Sequence, residues 1–310
     1  MSRAFVFPGQ GAQTIGMGRD LAEAYPVARA VFDEVDAALG EKLSALIWEG
    51  DIETLTLTEN AQPALMATSM AALRALAYEG LTVETAAYVA GHSLGEYSAL
   101  CAAGSLSVAD AARLLRLRGR AMQEAVPVGQ GAMAAILGLD YEAVAEIAAE
   151  AACPGEVCAA ANDNDPAQVV VSGSAAAVAR AAELARARGA KRALMLPVSA
   201  PFHCGLMAPA ARVMADALSE VELLPPRVPL VSNVLAHAVD DPEVIRSLLV
   251  EQVTHRVRWR ESVAWMARQG VTEFWEIGAG KALSAMIRRI VPEAATRAIG
   301  TPAEVASARG

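Results

Sequence analysis

Ala86-Ala87-Tyr88-Val89-Ala90-Gly91-His92-Ser93-Leu94-Gly95-Glu96-Tyr97-Ser98-Ala99-Leu100-Cys101-Ala102-Ala103 reads as an apolar strand, a sharp bend and a helix-like segment, with a serine at the bend. Gly91 and Gly95 flank that serine because so tight a turn leaves no room for side chains on either side. The Gly-x-Ser-x-Gly pattern then lifts the hydroxyl above a sheet, where it is a candidate nucleophile. The alternative is a glycine-rich turn whose serine caps the following helix.

Around this unit the chain has α/β rhythm. A strand is expected at 4–7 and helices near 17–24, 26–39, 60–79, 95–103 and 107–125. From Gly131 the rhythm changes. Residues 132–139 read as a strand, 141–152 as a helix, 157–161 and 168–172 as strands separated by the turn-rich Asn162-Asp163-Asn164-Asp165-Pro166. A helix near 174–188 and a strand at 191–196 complete β-α-β-β-α-β, the ferredoxin-like order. The α/β pattern returns with a helix near 205–218, strands near 229–232 and 272–276, and helices near 241–250, 259–268 and 281–290. The fold expected is α/β: a large α/β-hydrolase-like subdomain of residues 1–127 and 197–310, with an inserted ferredoxin-like subdomain of residues 128–196. The cleft between two such units is a common place for a substrate.

Composition excludes several functions. The 310 residues are 54% hydrophobic and 20% charged, with a formal net charge of -9, which argues against a nucleic-acid surface. The start of the chain lacks the apolar run of a signal peptide, and no window approaches a membrane span, so a cytoplasmic protein is expected. Four cysteines, Cys101, Cys153, Cys158 and Cys204, include no Cys-x-x-Cys pair and read as buried, reduced thiols; no metal site is expected.

A nucleophilic serine needs a base. His92 adjoins Ser93, and neighbouring side chains at a tight bend diverge. His237 falls in what reads as a surface turn, and His255 in a polar connection between helices. His203 lies in Ser199-Ala200-Pro201-Phe202-His203, the loop after a strand and before a helix, where α/β proteins gather active groups. It is the favoured base. On the helix near 107–125, Ala111, Leu114, Leu115, Leu117, Ala121, Met122 and Ala125 share an apolar side and Arg113, Arg116 and Arg120 the polar one. Arg118 projects from the apolar face. A buried guanidinium must meet an acid, and both an internal carboxylate and a ligand carboxylate remain open. Phe7-Pro8-Gly9-Gln10-Gly11-Ala12-Gln13 follows the first strand and frees amides for an oxyanion, or is a plain turn; a dinucleotide reading fails because Thr14 stands where a glycine is needed.

The chain resembles the malonyl-CoA:acyl carrier protein transacylase family over nearly its whole length. The motifs that carry the resemblance are Phe7 to Gln13, Gly91-His92-Ser93-Leu94-Gly95-Glu96-Tyr97, Arg118-Gly119-Arg120-Ala121-Met122-Gln123, Pro201-Phe202-His203, Val231-Ser232-Asn233, Gln252 and Gly278-Ala279-Gly280-Lys281. Ala279 departs from the proline common there. The resemblance implies that Ser93 accepts malonyl, His203 is its base and Gln252 offers a carbonyl to His203. It further implies that the Gln10 and Leu94 amides form the oxyanion hole, and that Arg118, with Phe202 and Asn233, binds substrate. It implies malonyl-CoA and an acyl carrier protein as partners, with the phosphopantetheine brought by the carrier and no resident cofactor, in fatty acid synthesis. Leu94 and Phe202 resemble the malonyl-using branch rather than the methylmalonyl one. Glu96, close to the elbow, is weighed as a third member beside Ser93 and His203, and is more simply read as favouring the helix dipole. Arg186, Arg188, Lys191 and Arg192 are weighed as a carrier docking patch or as the complement of a helix C-terminus. Competing readings are a serine esterase or thioesterase, an assembly subunit without turnover, and an acyltransferase of a polyketide or malonate-decarboxylase system.

Overall fold

The computed structural model describes residues 2–198 and 200–309; Ser199, in the loop ahead of His203, lies outside the described residues. In chain order the strands are β1 (Ser2–Phe7), β2 (Tyr88–Gly91), β3 (Gly131–Leu137), β4 (Cys158–Asp165), β5 (Gln168–Ser174), β6 (Arg192–Met195), β7 (Leu230–Val231), β8 (Ala238–Val239), β9 (Val271–Ile277) and β10 (Ala295–Ile299). They form two sheets. The larger has the order β10-β9-β1-β2-β7-β8, parallel except for β8. The smaller has the order β4-β5-β3-β6, antiparallel throughout, with helices Tyr141–Ala151 and Ala175–Ala187 packed on it. That is the expected βαββαβ arrangement, and it interrupts the large sheet between β2 and β7.

Alternation along β1 shows why the large sheet is central. Phe5 and Phe7 enter the main core with Val89, Trp275 and the helices around it, whereas Ala4 and Val6 join a second cluster with Trp259, Phe274 and Ile287. A strand apolar on both faces needs cover on both. On the Phe5 and Phe7 face the helix Thr58–Tyr78 shares the main core, with 17 of its 21 residues buried, including Ala61, Ala64, Ala67, Ala71 and Ala72. Small side chains there let neighbouring helices approach closely. A separate core unites Ala134, Ile136, Val169 and Val171 with Val144, Ile147, Val178 and Ala181 of the small unit's helices.

Several expectations need correction. Asn162 to Asp165 are not a turn but the end of β4, and the reversal is at Pro166-Ala167. Tertiary contacts override the turn propensity of this stretch. The Asp163 carboxylate accepts two hydrogen bonds from Arg260 (both 2.9 Å), and Asp165 accepts one from Arg289 (2.7 Å); both arginines lie on helices that follow β7. Asn162 and Asn164 have the opposite phase and line a cleft. The segment around His237 contains β8, although His237 itself is exposed. β10 and the short helices Leu43–Glu49, Ile52–Thr56 and Pro302–Ser307 lie outside the elements expected from the sequence, where they show no strong periodicity. On the helix Val108–Glu124, Arg116 is buried against Glu41 and Asn60, while Leu117 is 37% exposed. Of the cysteines only Cys204 is fully buried, and Cys153 is exposed. Among the described residues no helix is long and apolar enough to cross a membrane.

Candidate active site

Parallel pairing of β1 with β2 sets Phe7 opposite Gly91, so the loop after β1 emerges beside the bend after β2. β7 flanks β2 on the other side and brings Asn233. Three loops thus converge at the carboxyl ends of adjacent strands. The bend is tight: a Cβ on Gly91 would sit 1.9 Å from the Gly95 backbone, and one on Gly95 would sit 2.3 Å from the Phe7 carbonyl oxygen. Ser93 is held at φ 55°, a region unfavourable for a side-chain-bearing residue. Asn233 stabilises it. Its Oδ1 accepts from the Ser93 amide at 2.8 Å and its Nδ2 donates to the Gly91 carbonyl at 2.6 Å. Asn233 is therefore placed behind the bend as a brace, outside the residues that line the cleft.

His203, also at positive φ (58°), approaches from the loop that leaves the small sheet. Its Nε2 lies 2.7 Å from Ser93 Oγ, and its Nδ1 lies 2.8 Å from the backbone carbonyl oxygen of Gln252. A carbonyl accepts only, so Nδ1 carries the proton and Nε2 faces the serine with a free lone pair. Burial, and then the positive charge of Arg118, depress the His203 pKa to about 3. The imidazole is neutral at physiological pH and able to take a proton. His92, as its position implied, does not reach Ser93: its Nε2 is 2.8 Å from Asn164 Oδ1 on β4. The side chains of His237 and His255 are exposed and do not line the cleft.

Arg118 is 1% exposed, with Nη1 donating to Gln62 Oε1 (2.7 Å) and Nη2 to Gln252 Oε1 (2.7 Å) and Ser93 Oγ (3.3 Å). Among the described residues no carboxylate forms an ion pair with it, in contrast to Arg116 and Arg120, which meet Glu41 and Glu59. Amide oxygens hold the guanidinium without neutralising it. The arginine reaches this place because its helix approaches the start of Thr58–Tyr78 very closely at Gly119. Gln62, the partner on that second helix, escaped the sequence reading; a lone glutamine in a helix carries no signal. Glu96 differs from expectation. Its carboxylate leaves the helix start and accepts from the Asn233 amide (2.6 Å) and from Gln252 Nε2.

The cleft has a volume of about 510 Å³ and lies between the two sheets. Gln10, Leu94, Arg118, Phe202 and His203 line it around Ser93, with Met133, Val170, Leu196 and Met286 forming apolar walls. Leu94 caps the helix Gly95–Ala102, so its amide stands outside the helical ladder. Among the described residues no cluster of three or more histidine, cysteine or acidic side chains is arranged to hold a metal. Of the basic residues weighed for docking, Arg188 pairs with Glu150 and Arg186 donates to the Ala193 carbonyl; Lys191 and Arg192 are exposed.

A serine at a strand-to-helix elbow, hydrogen-bonded to a neutral histidine and set beside an arginine that forms no ion pair among the described residues, defines the class of serine acyltransferases that handle acidic acyl groups. Comparison with known proteins narrows this. The acyl transferase domain family matches residues 4–304. The malonyl CoA-acyl carrier protein transacylase of Bacillus subtilis (strain 168) is 48% identical over 299 residues, 96% of this chain and 93% of that protein. The crystal structure of acyl-carrier-protein-S-malonyltransferase from Bartonella henselae superposes with a TM-score of 0.97 at 55% identity, covering 99% of this chain and 98% of the other. A malonyl-transacylase in complex with a type II PKS acyl-carrier protein superposes with a TM-score of 0.96 at 44% identity, covering 99% of each chain. The chain belongs to the malonyl-CoA:acyl carrier protein transacylase family.

Proposed function

We propose that this protein moves the malonyl group of malonyl-CoA to the phosphopantetheine thiol of an acyl carrier protein, through a malonyl ester on Ser93, in fatty acid synthesis. Ser93 Oγ attacks the thioester carbonyl while His203 Nε2 accepts the hydroxyl proton. The developing oxyanion is met by the amides of Gln10 and Leu94, which border the serine. Collapse breaks the C–S bond, and the proton on His203 passes to the departing CoA thiolate. In the second half His203 takes the proton of the carrier's thiol, the sulfur attacks the ester, and the proton returns to Ser93. The Gln252 carbonyl orients the imidazole throughout. Being uncharged, it stabilises imidazolium less than an aspartate would, which favours an acyl-enzyme that waits for a thiol over one that activates water.

The observation that carries this reading is Arg118, buried and charged, with amide oxygens as partners and Ser93 Oγ only 3.3 Å away. Its planar fork suits a carboxylate one carbon beyond the reacting carbonyl. Leu94 and Phe202 wall the same space and favour malonyl over a methyl-branched analogue. The transfer draws on side chains, amides and two thioesters, so we propose no resident cofactor, and we place it in the cytoplasm. The division into residues 1–127 with 197–310 and residues 128–196 is likewise proposed; the independent core of the small sheet supports it. The test is acylation of Ser93 by malonyl-CoA and acetyl-CoA in wild type and Arg118→Ala. Malonyl transfer falls far more than acetyl transfer if Arg118 holds the carboxylate; an equal fall removes the clamp.

A further inference from the structure

Glu96 is a carboxylate 1% exposed, and nothing in the transfer chemistry uses it. It stands at the second residue of the helix Gly95–Ala102, where an acidic group is ordinarily attributed to the helix dipole. Its oxygens are engaged elsewhere, on the Asn233 amide and on Gln252 Nε2. The Gln252 side chain is engaged at both ends in turn: Nε2 also donates to the Ser93 carbonyl at 2.9 Å, and Oε1 accepts from Arg118 Nη2 at 2.7 Å. Arginine can only donate, and the Ser93 carbonyl and an ionised carboxylate can only accept. The amide of Gln252 therefore has one admissible orientation, oxygen toward Arg118 and nitrogen toward Glu96.

We infer that Glu96 is a positioning residue for acyl selection: its buried carboxylate fixes the Gln252 amide, which presents its oxygen to Arg118 and holds the guanidinium beside Ser93. The inference rests on the reading of Arg118 as the malonyl clamp. A carboxylate in direct contact would neutralise Arg118 and compete with the substrate. With an amide interposed, the negative charge stays near enough to favour a charged arginine and too far to occupy its fork. Replacing Glu96 by glutamine sets its NH2 group against the Gln252 NH2 group in one orientation and against the Asn233 amide in the other. A flipped Gln252 would turn its NH2 group toward Arg118, and two donors cannot pair. Protonation of Glu96 puts an O–H donor on one of the two oxygens that now accept from Asn233 and Gln252, and so weakens the hold on the Gln252 amide. Burial raises the Glu96 pKa to about 7, opposed by its hydrogen bonds and by Arg118. The groups facing it are Asn233 from the loop after β7, Gln252 from the helix Pro242–Gln252, Arg118 from Val108–Glu124 and the neighbouring Tyr97, whose hydroxyl burial keeps protonated.

The test compares Ser93 acylation by malonyl-CoA and acetyl-CoA in wild type, Glu96→Gln and Arg118→Ala between pH 6 and pH 8. In the glutamine variant the malonyl-to-acetyl ratio of kcat/KM falls about tenfold or more, beyond any loss that both transfers share through the Ser93 carbonyl, as expected for a misoriented charge-assisted contact. In wild type the ratio itself declines as pH falls through about 7, and it is flat in the variant. The wild-type profile needs no substitution, so a variant that fails to fold leaves the test intact. A Glu96→Gln enzyme that loses both transfers equally, or neither, or a flat wild-type ratio, overturns the inference, provided Arg118→Ala selectively lowers malonyl transfer. If Arg118→Ala does not, the clamp reading fails, and the inference falls with it for a separately visible reason.

Discussion

Gly119→Ala, at a residue that does not itself line the cleft, should damage acyl selection. A Cβ built on Gly119 lies 2.5 Å from Glu59 Cα and 2.7 Å from both the Glu59 nitrogen and the Thr58 carbonyl oxygen. All three atoms are backbone, so no side chain can swing aside. Restoring an ordinary contact near 3.4 Å requires the helix Val108–Glu124 to move away from the start of Thr58–Tyr78 by just under about 1 Å. Two effects then compete. Alanine favours a helix interior over glycine by about 1 kcal/mol, whereas overpacking a rigid contact costs about 1–3 kcal/mol. Backbone-on-backbone contact puts the cost at the upper end, so net destabilisation of about 1–2 kcal/mol is expected. The same displacement carries Arg118 away from Gln62, now 2.7 Å from it, and a 1 Å error in a positioned group costs up to about 100-fold in rate. Urea unfolding and single-turnover acylation measure the two consequences. Malonyl acylation should fall about 10- to 100-fold, with acetyl acylation nearly unchanged. A variant as stable and as malonyl-selective as wild type would refute the claim that helix approach at Gly119 sets the position of Arg118.

Further consequences concern the base and the joint between the units. With acetyl-CoA, which leaves Arg118 idle, kcat/KM should stay flat from pH 8 down to about 5, because a base depressed to about 3 is lost only when pH falls through that value. A limb centred near 6.5 would show that His203 is not held down by burial and Arg118. Arg260→Ala strands the fully buried Asp163, whose pKa burial already raises, and should cost about 2–4 kcal/mol in urea unfolding, below the full value for a buried pair because Arg260 is 31% exposed. The double variant Asp163→Asn with Arg260→Gln should recover most of that loss; failure to recover would mean that the loss does not come from stranding the Asp163 charge.

The parts of the site legible in the sequence were those where a residue breaks a local rule. Ser93 sits between two glycines at the end of a strand, His203 follows a strand end, and Arg118 interrupts an apolar helix face. What stayed hidden depends on distant chain. Gln62 and Glu96 acquire their roles only through Arg118 and Gln252, and a glutamine or a glutamate at a helix start is unexceptional by itself. Asn162 to Asp165 misled for the reverse reason, since four turn-favouring residues became a strand once Arg260 and Arg289 paired with alternate side chains. Arg116 likewise looked solvated, because helical periodicity does not show that the opposite face is covered by Glu41 and Asn60.

The most direct test of Ser93 as a way-station between two thioesters is intact-mass analysis of the protein after brief exposure to malonyl-CoA, followed by addition of holo carrier protein or of buffer alone. One malonyl group should appear on wild type, map to Ser93 and be absent from Ser93→Ala, and it should discharge to the carrier's thiol far faster than to water. An adduct elsewhere, or loss to water at the same rate with and without carrier, would contradict the account.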